Sequence, residues 1–475
     1  MKKIFNILTI GVLAAISLTS CERDLTSLNE NPKQPEVLPS QNLLAMGQQQ
    51  FFYYTFTPSV NFNNFRFFTQ QWTETTYTDE TNYNLVTRTQ PRNNWNRMYV
   101  YSLNNFETAK KNLVEEGGTA VVKRNKLATL EISQIAVWET LVDTYGDVPY
   151  SEALKASESN FAPKYDDAKA IYTDLLARIT AVVATIDENQ EGYAVGDLVY
   201  GGDMTKWKHL ANSVKLRLAL NLADTDAATA KAAAESAIAS GVISSEAESF
   251  SLTFDGGTYT NPVFDDLVAS GRNDFIPTNL VVNKMNTKND PRRATWFTTV
   301  GGNYVGGVFG TLNTYANFSH MSDFFLGRDA DANLLSYTEV LFLKAEAAQR
   351  GYSVGGTAAT FFAEAIAASM AENGVSAADT ATYIAANPYN AANWKQSIGE
   401  EAWIALFNRG FAAWNFTRRL DISGFVLPPN NQLEGLPVRM PYSDQEYVLN
   451  RTNVEAAASK IGGDKATTKI FWDVN

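Results

Sequence analysis

The stretch from residue 51 to residue 101 holds the side chains best suited to bind a neutral sugar. It contains fifteen of the chain's 57 aromatic residues (27 Phe, 21 Tyr and 9 Trp) and eight asparagines. Aromatic rings stack on the C–H face of a pyranose, and amides bond its hydroxyls. The alternative for any single ring is that it packs in the hydrophobic core. The residues that lie among Thr, Asn and acids are predicted to be exposed and to bind ligand: Gln71, Trp72, Tyr77 and Tyr83.

Residues 244–333 form a second long stretch without clear helical periodicity. Its aromatic residues lie among many Gly and Asn, and three of them are also predicted to bind ligand: Tyr259, Trp296 and Tyr304. The run GGNYVGGVFG (301–310) lacks the Gly-Lys-Ser/Thr end and the following helix of a phosphate loop. A β-hairpin over residues 298–305 explains its glycines better than a nucleotide site does.

The oxygen-bearing residues Asp329, Asp331 and Asn333 match the first three ligand positions of a calcium loop. The sixth position is Leu334, where glycine is required, and the twelfth is Val340, where a bidentate Glu belongs. A polar turn before a helix that starts near Ser336 is therefore favoured, and no metal site is predicted.

Several adjacent acids raise the possibility of glycoside hydrolysis by two opposed carboxylates. Such pairs are common among 51 acidic residues, and nothing in the sequence shows one of them to be buried and opposed. The chain has no Gly-x-Ser-x-Gly and no His-Glu-x-x-His motif. One Cys and two His exclude a Cys/His zinc site and a Cys–His nucleophile. We therefore predict a binding protein without catalytic residues or cofactor.

The overall charge argues against nucleic acid as a partner. The 475 residues carry a formal net charge of -12, and the acids and bases are spread along the chain. Binding to nucleic-acid phosphates needs a cluster of basic residues, and this distribution of charge does not provide one.

The first 20 residues have the pattern of a secretory signal. Lys2 and Lys3 precede an apolar run that ends in Leu18-Thr19-Ser20-Cys21. This end resembles a bacterial lipoprotein cleavage box, which implies acylation of Cys21 and membrane attachment through lipid alone. The alternative is an ordinary signal peptide with a chance cysteine. Residues 21–42, polar and with three prolines, are predicted to form a lipidated tether.

From about residue 95 onward, helical patterns alternate with turns, so the predicted fold is mainly α. The patterns at 336–350 and 357–370 predict an antiparallel hairpin as long as one tetratricopeptide repeat. Long irregular stretches at 51–93, 244–333 and 422–475 interrupt the helices and include a few short β-hairpins. We expect residues 43–475 to form a single domain with a helical scaffold and a face built from loops. The predicted helices are those near 95–116, 121–145, 166–186, 204–222, 227–239, 336–350, 357–370 and 394–420.

Several segments in order resemble one family. They include WETLVDTYGDVPYSEAL (138–154), WKHLANSVKLRLALNLAD (207–224), SYTEVLFLKAEAAQRG (336–351) and WKQSIGEEAWIALFNRGFAAWNFTRRLD (394–421). With the lipoprotein box and RMPYSDQEYVLNRTN (439–453), they resemble the SusD/RagB outer-membrane lipoproteins of Bacteroidetes, in the SusD-like branch.

The resemblance implies four tetratricopeptide-like hairpins and a ligand face built from loops. It also implies a lipid-anchored protein of the outer membrane that faces the cell exterior, partnered with a SusC-like TonB-dependent transporter. The expected ligand is an oligosaccharide. A peptide ligand on the same fold, or a surface glycoside hydrolase, remains as an alternative. The recognisable blocks lie on the scaffold, so the resemblance assigns no ligand residue.

Overall fold

The computed structural model describes residues 37–474. The predicted signal peptide, Cys21 and most of the predicted tether lie outside the described residues. Helices predominate, which confirms the expectation of a mainly α fold. The helices of the first half are α1 (Ser40–Phe56), α2 (Phe65–Phe68), α3 (Gln90–Asn96), α4 (Asn104–Glu115), α5 (Ala120–Tyr145), α6 (Ala168–Val183), α7 (Met204–Asn221) and α8 (Ala227–Ala239).

The second half combines long helices with single turns. Its α-helices are α9 (Pro262–Phe264), α10 (Asn279–Thr287), α11 (Arg293–Trp296), α12 (Asp323–Leu326), α13 (Tyr337–Gln349), α14 (Ala358–Glu372), α15 (Ala377–Ala386), α16 (Trp394–Ala405), α17 (Gly410–Arg419), α18 (Glu446–Leu449) and α19 (Arg451–Lys460). Two π-helical segments, Arg97–Leu103 and Asp265–Ala269, continue α3 and α9.

The strands of the described residues form three small antiparallel sheets of two strands each. β1 (Trp72–Glu74) pairs with β5 (Phe275–Pro277), β2 (Val148–Pro149) with β3 (Tyr165–Asp166), and β4 (Phe250–Leu252) with β6 (Ala332–Leu335). In the first sheet Trp72 lies opposite Pro277 and Glu74 opposite Phe275. This sheet joins the two long irregular stretches that the sequence places 200 residues apart.

Four helix pairs, α5 with α6, α7 with α8, α13 with α14 and α16 with α17, pack side by side as the scaffold. Side-chain caps begin several of these helices: Asp203 accepts from two backbone N–H groups of α7, and Ser336 accepts from the N–H of Glu339 in α13. Gly351, at φ +79°, ends α13 in a Schellman arrangement with its N–H on the carbonyl of Ala348.

A buried ion-pair network joins neighbouring hairpins. Arg217 in α7 pairs with Glu139 of α5 at 2.6 Å and with Glu339 of α13 at 3.2 Å. Buried charges must be paired because their desolvation is costly. The network therefore fixes which helix faces meet.

The structure differs from the sequence expectations in several places. Helix α1 occupies the end of the predicted tether and the start of a stretch predicted to be irregular. The single helix predicted over 394–420 is two helices, because Asn408 adopts a left-handed conformation at φ +68°. The predicted hairpin over 298–305 is reduced to one bridge between Val300 and Asn303.

Candidate functional site

A cleft of about 200 Å³ opens where the segment after α1 meets the ends of β1 and β5. It contains one exposed aromatic ring together with amide, carboxylate and guanidinium groups. Its lining residues are Ser59, Val60, Asn61, Glu74, Tyr77, Arg88, Asp266, Arg272, Asp274 and Phe275.

Tyr77 lies in the loop that follows β1 and is 69% exposed. The loop is fixed at its start, because Glu74 pairs with Phe275 across the sheet and the N–H of Thr75 donates to the carbonyl of Asp274 at 2.9 Å. A rigid base therefore holds a ring that is free to contact ligand.

The polar side chains of the cleft differ in how firmly they are held. Arg88 forms an ion pair with the buried Glu80. The side chain of Arg272 is 70% exposed, and its contact with Asp274 spans 3.6 Å. Arg272 is thus the cation most available to bond the hydroxyls or a carboxylate of a ligand.

Glu74, which lines the cleft, lies within hydrogen-bonding reach of the buried Glu80. The Glu74 carboxyl accepts from the N–H and the hydroxyl of Thr81 at 3.0 and 2.9 Å. Burial and the neighbouring Glu80 raise the pKa of Glu74 to about 9. Glu74 therefore keeps its proton at neutral pH.

A second acid with a perturbed pKa, Asp266, also lines the cleft. Burial raises the pKa of Asp266 to about 6, although the Thr57 hydroxyl, which donates to it at 3.2 Å, opposes the shift. Its neighbour Asp265 accepts from the Tyr53 hydroxyl at 2.9 Å. These bonds tie the wall of the cleft to helix α1.

Four of the seven predicted ligand residues are buried. For Gln71, Trp72 and Tyr83 the expectation of exposure is therefore wrong. Gln71, Trp72 and Tyr83 are fully buried and Trp296 nearly so. Gln71 bonds the carbonyl of Trp403, and Trp296 stacks on Phe407 with ring centres 5.2 Å apart. Pairing of β1 with β5 places both faces of β1 inside the protein, which the polar neighbours in the sequence did not reveal.

The other three predicted residues are accessible but are not brought together. Only Tyr77 lines the cleft. Tyr259 is half-exposed on a turn in which its N–H donates to Asp255. Tyr304 is partly buried, and Arg293 lies 5.4 Å from the centre of its ring. Binding by these tyrosines stays a prediction.

Sequence reasoning missed the polar residues of the cleft: Asn61, Arg88, Asp266 and Arg272. The signal that was available is the run Gly-Arg-Asn-Asp (271–274), in which a cation and an amide follow a glycine in a long loop. Their proximity to Tyr77 depends on the pairing of β1 with β5, which no local pattern encodes.

A larger cavity of about 660 Å³ lies on the helical scaffold, between α4, α5 and α6. Its charged groups already pair with one another: Glu131 binds both Lys110 and Arg178, and the latter also contacts Tyr150. We therefore place the candidate site at the Tyr77 cleft, on the loop face.

Within residues 37–474, no cluster of three or more His, Cys, Asp or Glu side chains is arranged to hold a metal ion. None of the helices in this range is long and apolar enough to cross a membrane.

Comparison with solved structures gives many matches along nearly the whole chain. A chitin-binding protein is 25% identical, with a TM-score of 0.81 over 92% of this chain and 100% of its own. A SusD homologue from Bacteroides uniformis is also 25% identical, with a TM-score of 0.77 over 91% and 99%. A chitin-binding SusD homologue from Flavobacterium johnsoniae is 24% identical, with a TM-score of 0.77 over 92% and 98%. Comparison with curated protein sequences gave no match.

Residues 32–443 match the SusD-like family described as starch-binding and associating with the outer membrane. This match covers most of the chain, and the helical fold agrees with that of the solved SusD homologues. The chain therefore belongs to the SusD-like family of outer-membrane-associated binding proteins.

Proposed function

We propose that this protein captures an oligosaccharide at the Tyr77 cleft on the cell surface and delivers it to a SusC-like TonB-dependent transporter. In this proposal a lipid on Cys21 holds the protein to the outer membrane. The protein performs no chemistry on the sugar.

The observation that carries the proposal is the exposed Tyr77 ring beside polar groups that can bond hydroxyls. A pyranose presents an apolar C–H face that stacks on a ring, and hydroxyls that bond amides and guanidinium groups. Asn61 and Arg272 lie in the same cleft as Tyr77. The arrangement can thus hold one sugar unit and leave a longer chain to extend over the surface.

The solved relatives suggest which glycan to test first. Two of them are named as chitin-binding, and the family is described as starch-binding. Oligomers of N-acetylglucosamine and of glucose are therefore the first candidate ligands for this chain.

The Glu74–Glu80 pair, of which Glu74 alone lines the cleft, does not have the geometry of a glycosidase pair. Glycosidases place their two carboxyl groups at least about 5 Å apart so that they flank the glycosidic bond. Glu74 and Glu80 instead lie within hydrogen-bonding reach of one another. These two carboxyl groups help to pack the loop after β1, and they are too close together for a glycosidic bond to lie between them.

Calorimetric titration of the chain purified in detergent tests the proposal. The probes are N-acetylglucosamine and glucose oligomers of two to six units, together with a peptide digest. We expect saturable binding of one glycan series and a loss of up to about tenfold in affinity in Tyr77→Ala, because ring stacking contributes about 0.5–1.5 kcal/mol beyond its area. Phe161→Ala is the matched control, because Phe161 is 74% exposed and does not line the cleft.

Three results would contradict the proposal. Unchanged glycan affinity in Tyr77→Ala would show that the cleft is not the glycan-binding site. Binding of peptides and of no glycan would indicate that this protein captures peptides. The release of shortened sugars during the titration would instead support the hydrolase alternative.

A further inference from the structure

Three aromatic rings surround the guanidinium of Arg97 near the end of α1. The guanidinium carbon lies 4.0 Å from the centre of the Tyr54 ring, 4.6 Å from that of Tyr101 and 5.3 Å from that of Phe62. The Tyr54 and Phe62 rings meet edge to face with their centres 4.5 Å apart. Tyr101 is 44% exposed, and the other two rings are half-buried. These four residues, the Arg97 cluster, therefore present aromatic surface beside one cation.

Arg97 is held by rings and by an amide. Its Nη1 donates to Oε1 of Gln50 at 3.0 Å, and in the described part of the chain its guanidinium has no other hydrogen-bond partner and no carboxylate partner. The Nε and Nη2 atoms are not fully buried. Cation–π contacts hold a guanidinium by its faces and leave the N–H groups along its edge free to donate. Arg97 therefore offers fixed donors to a ligand that lies over the cluster.

The Arg97 cluster adjoins the Tyr77 cleft through a shared turn. Residues 59–61 line the cleft, and Phe62 of the cluster follows them directly. The carbonyl of Asn61 accepts from Nδ2 of Asn93 at 2.8 Å. Asn93 lies in α3, which the π-helical segment beginning at Arg97 continues. The turn between the cleft and the cluster is thus fixed to the helix that carries Arg97.

Both π-helical segments of the described residues meet the end of α1. Arg97, the first residue of one segment, stacks on Tyr54. Asp265, the first residue of the other, accepts from the Tyr53 hydroxyl at 2.9 Å, and its neighbour Asp266 lines the cleft. π-Helical turns are rare and occur frequently at functional sites. Their convergence on one helix end supports treating the cleft and the Arg97 cluster as parts of one site.

We propose that the Arg97 cluster is a second subsite for the same oligosaccharide and binds the sugar units that extend beyond the Tyr77 cleft. This inference rests on the proposed function. The cleft, at about 200 Å³, has room for one sugar unit, so the other units of a longer chain lie outside it. At the cluster, the exposed rings contact the C–H face of a pyranose and Arg97 donates to its hydroxyls. The protein therefore selects oligosaccharides over short sugars.

Calorimetric titration of the full chain with oligomers of two and of six units tests the inference, in both the N-acetylglucosamine and the glucose series. We expect Tyr101→Ala to weaken binding of the hexamer by up to about tenfold, because it removes a stacking ring, and to leave dimer affinity within twofold of the parent. Tyr77→Ala should weaken the binding of both lengths. Phe161→Ala, which removes an exposed ring outside both subsites, should change neither affinity.

Arg97→Lys tests the contribution of the guanidinium. Lysine keeps the positive charge but lacks the planar set of donors. We expect hexamer binding to weaken by up to about tenfold, with dimer affinity within twofold of the parent. A melting temperature near that of the parent shows that the variant is folded.

The length dependence separates failure of this inference from failure of the proposed function. The inference alone is overturned if Tyr77→Ala weakens glycan binding while Tyr101→Ala leaves hexamer affinity unchanged, or if Tyr101→Ala weakens dimer and hexamer equally. If no glycan binds, or if Tyr77→Ala binds every glycan as the parent does, the proposed function fails and this inference fails with it.

Discussion

Arg66 donates from Nε to Oδ1 of Asn408 at 2.8 Å and thereby joins the segment beside the Tyr77 cleft to the break between α16 and α17. The same guanidinium donates to the carbonyls of Phe56 and Thr57 and lies 5.0 Å from the centre of the Trp72 ring. One buried side chain therefore joins the backbone beside the Tyr77 cleft to the break between α16 and α17.

Replacement of Arg66 should destabilise the whole protein. We expect Arg66→Ala to lower the free energy of unfolding by roughly 3–4 kcal/mol, because it removes several charge-assisted hydrogen bonds and leaves a cavity. Urea unfolding followed by tryptophan fluorescence measures the loss. Arg451→Ala is the control, since that arginine has a side chain 68% exposed and only an i,i+4 ion pair. Equal stability of the two variants would show that the Arg66 contacts contribute nothing.

Glu74 should make the protein less stable as the pH rises. Its folded pKa of about 9 lies above the ordinary value of 4.5, so the folded state holds a proton that the unfolded state releases between these values. The stabilising effect is thus complete below pH 4.5 and is lost as the pH approaches 9.

Glu74→Gln tests this linkage, because an amide preserves the shape of the protonated acid. We expect the variant to be more stable than the parent by about 1 kcal/mol or more at pH 8, and the difference to shrink toward pH 5. Urea unfolding at both pH values gives the comparison, with Asp79→Asn as the exposed neighbouring control. A difference that does not change with pH would contradict the raised pKa of Glu74.

Arg272 should contribute to ligand affinity without contributing to stability. Its side chain is largely exposed, so Arg272→Ala should leave the melting temperature within about 1 °C of the parent. Loss of a charged hydrogen bond to ligand should weaken glycan binding by about tenfold. Calorimetric titration with the glycan series that the parent binds measures the effect, and Arg451→Ala again serves as the control. An unchanged affinity would exclude Arg272 from the site.

Trp72 should act as a core residue. Trp72→Phe is expected to lower the free energy of unfolding by about 1–3 kcal/mol, because the smaller ring leaves part of a buried site unfilled. Glycan affinity of the folded variant should stay within twofold of the parent. A large loss of glycan affinity without a loss of stability would show that Trp72 does contribute to ligand binding.

Cys21 should determine attachment to the membrane. Cys21→Ser removes the acceptor for the lipid, so we expect the variant to leave the membrane fraction and to lose labelling by a radioactive fatty acid. Thr26→Ala, five residues further along the predicted tether, should keep both properties. Retention of Cys21→Ser in the membrane would favour another mode of attachment.

The scaffold helices were predictable because their signals are local. The predicted ranges 204–222 and 227–239 agree closely with α7 and α8, each of which begins at a capping aspartate. Helix α1 was missed because its buried positions are spread around the helix and include polar Gln48 and Thr55, so no apolar stripe marks it. The break at Asn408 was missed because Gly410, which lies two residues later and begins α17, was included in the predicted helix.

The candidate site was predictable only as a region. Loop composition pointed to residues 51–101, and Tyr77 does line the cleft. Which rings face solvent depends on contacts between distant segments, such as Trp72 beside Phe275 and Phe407. A single sequence contains no record of those contacts.

The pairing of β1 with β5 has a consequence for how such a protein can diversify. The two turns that flank the paired strands can change length and composition while the buried register of three residue pairs stays in place. Ligand preference can therefore shift by exchange of short surface segments, without any redesign of the helical repeats beneath them.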